Sequence, residues 1–410
     1  METIFEDNEQ LRVKDLVVRF YTYEGIVKAV EKANLRLRKG ETLGIVGETG
    51  SGKSVTAFTI MALTPPPGRV EGGAVYFRRD RGDVVNVIEL KENELLKIRG
   101  KEISMIFQEP NAALDPLYRV GDQIAEAILS HRFSEVLGKA MKLVEEDLRR
   151  RDGGAGAKLE LWAYRKMLED PNSTALAILE KIPVVKNMMT RRLRQVIREE
   201  IIELLKLMEI PDPERVVDAY PHELSGGMQQ RIVIAIALAC SPVLLLADEP
   251  TTSLDVTVQA QIIDLIMRLK KRLGTSIIYI THDMGVIAEI SDRVAVMYAG
   301  NVVEVAPVKE LFKNPLHPYT RALLESIPRP GSSFKSIPGT VPNLVNPPSG
   351  CRFHPRCPYA KEACKHEVPE LVKVSENHYV ACLLYGGENS GEHSGHGGPE
   401  EILSDKRRGL

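Results

Sequence analysis

The stretch Gly47-Glu48-Thr49-Gly50-Ser51-Gly52-Lys53-Ser54 constrains this chain more than any other. It fits G-x-x-x-x-G-K-[ST], the pattern of a phosphate-binding loop. Such a pattern is informative only between a strand and a helix, and both flanks comply. Thr42-Leu43-Gly44-Ile45-Val46 reads as a buried strand, and residues 54–61, Ser-Val-Thr-Ala-Phe-Thr-Ile-Met, read as a helix. The glycines allow the backbone to wrap a phosphate with its N–H groups turned inward. The helix start adds the positive end of a dipole. Lys53 is placed to reach the outer phosphates and Ser54 to ligate Mg²⁺.

With 410 residues the chain has room for two or three domains and a full core. Its formal net charge of -2 supplies no global basic field to draw it to nucleic acid. The acidic start, Met1-Glu2-Thr3-Ile4-Phe5-Glu6-Asp7, carries no signal-peptide pattern. The longest apolar run, Ile232 to Ala247, is broken by Ser241-Pro242 and is too short to span a bilayer. Membrane association is therefore expected to go through a partner.

Residues 11–46 alternate in short apolar runs with turn signals and predict strands leading into the loop. Phe20, Tyr21 and Tyr23 near the end of the first are candidates to stack on an adenine ring. Ile103 to Phe107 predicts another buried strand, ending at Gln108. Residues 122–210 read as helical, with Leu193, Val196, Ile197, Ile201, Leu204, Leu205 and Met208 at helical spacing. Leu224-Ser225-Gly226-Gly227-Met228-Gln229-Gln230-Arg231 opens a further helix running to about Cys240. Val243-Leu244-Leu245-Leu246-Ala247 is a buried strand that delivers Asp248-Glu249 to its carboxyl end, where ligands sit in open α/β sheets. Ser253-Leu254-Asp255 follows on a loop, then a helix over 257–272 and a strand over 276–280 that ends in Thr281-His282-Asp283. The alternation argues for a largely parallel sheet with helices on both faces. Residues 386–398, rich in Gly, Ser, Glu and His, predict a disordered tail.

The phosphate loop, Gln108 after a strand, Leu-Ser-Gly-Gly at 224–227, Asp-Glu at 248–249, Ser-Leu-Asp at 253–255 and His282 occur in the order found in ATP-binding-cassette (ABC) ATPases. The chain resembles that family from about residue 11 to 305. Beyond it, residues 317–324 (His-Pro-Tyr-Thr-Arg-Ala-Leu-Leu) and a cysteine cluster resemble the C-terminal extension of oligopeptide/dipeptide importer ATPase subunits. The resemblance implies an α/β fold: an ABC ATPase core of the P-loop type with a mainly parallel sheet, an N-terminal antiparallel β subdomain and an inserted helical subdomain. It places the nucleotide-binding domain at 11–305, with the helical subdomain at about 110–230 and an extra helical insertion at about 131–198. The cysteine-rich extension is placed at 306–385, and the tail at 386–410.

Roles follow by matching position. Gly47, Glu48, Thr49, Gly50, Ser51, Gly52, Lys53, Ser54 and Val55 hold the nucleotide, with Phe20 as the best match for the adenine-stacking aromatic and Tyr23 second. Ser54, Gln108 and Asp248 serve Mg²⁺. Glu249 is the general base, and His282 contacts the γ-phosphate and orients the attacking water. Gln108 reports nucleotide state to a membrane partner. Ser225, Gly226, Gly227 and Gln229 face the nucleotide of the opposite subunit, and Asp255 links the two sites. The resemblance also implies a second ABC ATPase subunit, two transmembrane permeases, an external binding protein and a peripheral position on the cytoplasmic side of the membrane. Peptides are the first-choice cargo, with oligosaccharides and nickel complexes as alternatives.

Cys351, Cys357, Cys364 and Cys382 are spaced C-x₅-C-x₆-C-x₁₇-C, unlike the short pairs usual for zinc. Disulfides do not suit a chain without an export signal. The arrangement is similar to the 4Fe–4S site of some members of this importer family; zinc and unligated thiols stand as alternatives.

A rival from another class is a soluble ABC protein acting on nucleic acid or ribosomes. Translation-factor types carry two cassettes and a basic linker, and one cassette is present here. Chromosome and repair types need a long coiled coil, for which 131–198 is too short and interrupted. Lys53, Asp248, Glu249 and His282 together argue against a non-hydrolysing structural subunit.

Overall fold

The computed structural model describes residues 5–150, 154–170, 190–252, 254–327 and 336–385. The expected tail, the middle of the expected insertion and Ser253 lie outside the described residues.

Strands β1 (Glu9–Thr22) and β2 (Gly25–Arg38) form an antiparallel hairpin. Strand β3 (Thr42–Val46) leads into the phosphate loop, and β4 (Gly68–Arg78) and β5 (Val84–Asn86) complete an antiparallel sheet in the order β2-β1-β4-β5. Along β1, buried Leu11, Val13, Leu16 and Val18 share their strand with charged, more exposed neighbours. That pattern covers one face of the sheet and leaves the other wet.

The second sheet is mainly parallel. It contains β6 (Ile103–Ile106), β7 (Leu244–Asp248), β8 (Ser276–Thr281) and β9 (Arg293–Tyr298), with β3 between β9 and β8. All of these strands are buried throughout, as expected of parallel strands covered on both faces. Strand β10 (Asn301–Pro307) returns antiparallel to β9, and the late hairpin β11 (Val372–Ser375) and β12 (His378–Val380) adds to β10. The stretch beyond 306 thus continues the edge of the core sheet. A buried carboxylate stitches it down. Glu304 on β10 accepts from the Leu316 and His317 N–H groups and from His378 Nε2, each at 2.8 Å.

Between β6 and β7 the described residues are mainly helical. Helix Val120–Arg149, kinked at Arg132, packs on helix Arg191–Leu207, whose buried stripe of Leu193, Val196, Ile197, Ile201 and Leu205 follows the sequence periodicity. Helix Ala155–Glu169 is tied in by Tyr164, whose hydroxyl donates to Glu160 at 2.6 Å and accepts from the Leu193 N–H at 2.9 Å. These helices and helix Gly226–Leu238 share one apolar cluster. The phosphate-loop helix Lys53–Ile60 belongs to another, built on the N-terminal sheet.

Candidate active site

The phosphate loop leaves β3 and closes against β10's turn. A Cβ on Gly47 would lie 2.1 Å from the Met297 carbonyl oxygen, and one on Gly52, at φ +100°, would lie 2.6 Å from that of Ala29. Neither position admits a side chain. Gly52 caps helix Lys53–Ile60 without a side chain, and no acidic residue occupies the first turn, so the helix start is free for an anion. Ser51 Oγ is buried without a hydrogen-bond partner, and Thr49 and Gly50 are exposed at the loop tip. Lys53, 5% exposed, donates from Nζ to the Gly47 and Glu48 carbonyls at 2.8 and 3.1 Å. Burial pushes its ammonium below the ordinary value, against the pull of Glu249, Asp248 and Glu48. Such a lysine is short of an anion.

Strand β7 ends in Asp248, which is 4% exposed and accepts from Ser54 Oγ at 3.0 Å. Burial raises its carboxyl, with Glu249 adding to the rise and the Ser54 bond and Lys53 opposing it. A hydroxyl beside a buried carboxylate short of positive charge is a donor set that fits Mg²⁺. Glu249 sits at φ +46°, a left-handed conformation rare for a side chain of its size. The turn sends its carboxylate back over the strand ends. There Oε2 meets His282 Nδ1 at 3.2 Å, Thr252 Oγ1 at 2.9 Å and Gln108 Nε2 at 3.5 Å. His282 and Gln108 arrive from the ends of β8 and β6, so three strand ends converge on one oxygen. Thr252 was invisible in the sequence, because no spacing rule marks a hydroxyl three residues past the carboxylate.

The signature residues lie elsewhere. Ser225 caps helix Gly226–Leu238, its Oγ accepting from the Met228 N–H at 3.4 Å, and Ser225 and Gly226 are exposed. Gly227 packs on Val258, whose Cγ1 would be 2.9 Å from an added Cβ. Gln229, expected to face the opposite subunit's nucleotide, lies differently from Ser225 and Gly226 in the single chain. It is buried, and its Nε2 donates to the Pro221 and Leu224 carbonyls at 2.8 and 3.2 Å, so it braces its own loop instead of facing outward. Asp255 caps helix Val256–Leu273 through the Thr257 and Val258 N–H groups, both at 3.0 Å. Phe20 is half-buried on the N-terminal sheet core, whereas Tyr23 is fully exposed at the hairpin tip. Val55 is half-buried one turn into the phosphate-loop helix.

The four clustered cysteines are free and half-buried. Cys351 N–H donates to the Cys364 carbonyl at 2.8 Å. Burial raises the Cys351 thiol and pushes those of Cys357 and Cys382 up to about 11, neighbouring cysteines adding to the rise. Among the described residues, no group of three or more His, Cys, Asp or Glu is arranged to hold a metal ion, so the expected iron–sulfur ligation has no support in this arrangement.

A phosphate cradle, a buried magnesium-type carboxylate and a second carboxylate held by Gln, Thr and His now stand together. The sequence profile of the ABC transporter family spans residues 30–252, more than half of the chain. The chain belongs to the ABC transporter family. A second profile, the C-terminal region of oligopeptide/dipeptide transporters, matches residues 303–364. The oligopeptide transport ATP-binding protein OppD of Bacillus subtilis is 44% identical, covering 91% of this chain and 88% of that protein. The dipeptide transport ATP-binding protein DppD of Lactococcus lactis is 42% identical, covering 92% and 91%. Among solved structures, the dimeric post-hydrolysis state of the cassette MJ0796 with ADP and Pi aligns at TM-score 0.50 and 26% identity. It covers 73% of this chain and 98% of that one. This ABC chain is an ATPase whose hydrolysis is coupled to transport. No helix among the described residues is long and apolar enough to cross a membrane.

Proposed function

We propose that the chain is the ATP-hydrolysing motor subunit of an importer of di- and oligopeptides, bound peripherally at the cytoplasmic face of the membrane. It works beneath two permeases and an external binding protein, paired with a second ABC ATPase. The convergence of His282, Thr252 and Gln108 on one oxygen of Glu249, beside the Ser54–Asp248 pair, carries the hydrolytic part. The peptide cargo is supported by relatives whose names specify oligopeptide or dipeptide transport.

In this reading Glu249 takes the proton of the attacking water, and His282 and Thr252 fix the carboxylate and the water's approach. Ser54 and Asp248 would hold Mg²⁺, which would supply charge neutralisation on the phosphates when bound. Gln108 carries nucleotide state toward the helices at 120–207, proposed here as the lobe that meets a permease. The Ser225-Gly226-Gly227 turn, exposed at Ser225 and Gly226, faces the nucleotide of the partner subunit, and loss of the γ-phosphate releases the pair.

Glu249→Gln is expected to lower ATP turnover by about 10²- to 10⁴-fold and to trap an ATP-bound dimer in size-exclusion chromatography. Near-normal hydrolysis would remove Glu249 from the chemistry. Cells lacking the chain should lose uptake of labelled di- and oligopeptides; retained peptide uptake with lost oligosaccharide or nickel uptake would reassign the cargo.

The cysteine-rich stretch at 306–385 is proposed as a distinct functional extension, with Cys351, Cys357, Cys364 and Cys382 as ligands of a 4Fe–4S cluster. Four tetrahedral zinc thiolates must approach to within roughly 3.8 Å of one another, whereas a cluster is a larger body that spreads its ligands. No metal-holding group is formed among the described residues, so the assignment rests on the C-x₅-C-x₆-C-x₁₇-C spacing and the resemblance it carries. Anaerobically purified protein should contain iron and acid-labile sulfide; zinc in their place would overturn this assignment.

A further inference from the structure

The turn that carries the cysteines also reaches the phosphate loop. Arg356, the residue before Cys357, grips Glu48 with both terminal nitrogens: Nη1 to Oε2 at 2.8 Å and Nη2 to Oε1 at 3.1 Å. The arginine side chain is 5% exposed. It is itself held from behind, with Nε donating to the Pro338 carbonyl at 2.7 Å and the guanidinium lying 5.7 Å from the Tyr298 ring centre. The Glu48 N–H donates to the hydroxyl of Tyr319 at 2.9 Å, and Tyr319 is fully buried on helix Pro318–Glu325. The Glu48 carbonyl takes the Ser51 N–H and Lys53 Nζ, both at 3.1 Å. Every polar group of Glu48 is thus engaged, two of them by residues beyond 306.

Two physical consequences follow. A loop with glycines at φ +78° and +100° has many conformers when free, and fixing it in advance removes that ordering cost from nucleotide binding. Glu48 also places a negative charge beside a cradle for a polyanion. A bidentate guanidinium neutralises that charge where water would screen it poorly.

We propose that Arg356 is a positioning residue for ATP: through Glu48 it shapes the phosphate loop and cancels a charge that would repel the triphosphate. The inference rests on reading Gly47–Ser54 as the triphosphate cradle. It makes the cysteine-bearing extension part of the nucleotide site, by a contact that spans 308 positions of sequence.

The test is the dissociation constant for MgATP of the full chain, with KM and kcat alongside and a thermal melt as the folding control. Arg356→Ala should weaken binding about tenfold and raise KM in step, with kcat at saturation changed by no more than about twofold. Arg356→Lys keeps charge but loses the fork, and should fall between. Adding Glu48→Gln to Arg356→Ala should restore much of the affinity, because the repelling charge is gone; a merely structural arginine predicts no such rescue. Should Arg356→Ala fail to fold, Arg356→Lys and its combination with Glu48→Gln decide the matter. Unchanged affinity in the folded single variants, or equal weakening with and without Glu48→Gln, overturns the proposal. Lys53→Ala separates the two levels. If it binds MgATP normally, the cradle reading itself fails; if it does not and the Arg356 variants do, only the Arg356 proposal falls.

Discussion

Two glycine-rich turns of this chain meet opposite fates. The phosphate loop is walled in by its own chain, with Met297, Ala29, Tyr319 and Arg356 all in contact with it. The signature turn has a weak serine cap at 3.4 Å, and among the described residues only Leu254 lies within 4 Å of a Cβ on Gly226. Glycine answers a different need in each. At Gly47 it is forced by the fold. At Gly226 the described residues give no steric reason for it, and the proposed place opposite a partner's nucleotide would supply one. A site finished on one side and bare on the other is what a dimer that traps nucleotide between copies would need.

The sharpest way to break this contrast is to put a side chain at each turn. Gly226→Asp should leave the isolated chain as stable as wild type and able to bind MgATP. Its carboxylate would face the partner's phosphates, a like-charge contact costing several kcal/mol, so hydrolysis should fall by about 10²-fold or more. Gly47→Ala should do the reverse, lowering stability by about 1–3 kcal/mol in urea unfolding and weakening nucleotide binding within a single protomer. If Gly226→Asp instead unfolds the chain, or hydrolyses normally, the two turns are not different in kind.

A smaller effect comes from the support under the phosphate loop. His317 is wholly buried, and its Nδ1 must be unprotonated to accept the Tyr319 N–H at 3.0 Å. Burial pushes its value down to about 4, with Glu304 pulling the other way. The folded value lies below the ordinary 6.5, so the unfolded chain takes up the proton first. Stability from this group is therefore complete above pH about 6.5 and is lost as pH falls toward about 4, on the order of 3 kcal/mol in all. Urea midpoints between pH 7 and 5 should show the slope, and His317→Gln should flatten it. A flat wild-type profile would mean the turn beneath Tyr319 is not held as tightly as the geometry implies.

The legible parts of this molecule were those with local rules. The loop at 47–54 announced itself through its flanks, and β3, β7 and β8 appeared as short apolar runs because strands buried on both faces need no alternation. The stripe of helix Arg191–Leu207 was readable from its period. The Arg356–Glu48 pair, Thr252 and the return of β12 to β10 were not, because a contact between distant positions leaves no periodic trace in either segment. Gln229 was not legible either: its motif gave no sign that its helix phase turns it inward, where its Nε2 braces the loop at Pro221.

The smallest test concerns Asp255, which has two claims on it. As a helix cap it accepts two backbone N–H groups at 3.0 Å, a role worth about 1 kcal/mol that alanine would lose and asparagine would keep. As an exposed carboxylate on the bare side, next to Val256 at 83% exposure, it is placed to meet a partner subunit. Asp255→Ala should lower stability by about 1 kcal/mol and Asp255→Asn by almost nothing. If the charge matters between subunits, the asparagine variant should still hydrolyse ATP more slowly, by a factor of about two to five, despite its intact cap. If hydrolysis by both variants follows stability alone, Asp255 belongs to the single chain like Gly47, and the open side begins beyond it.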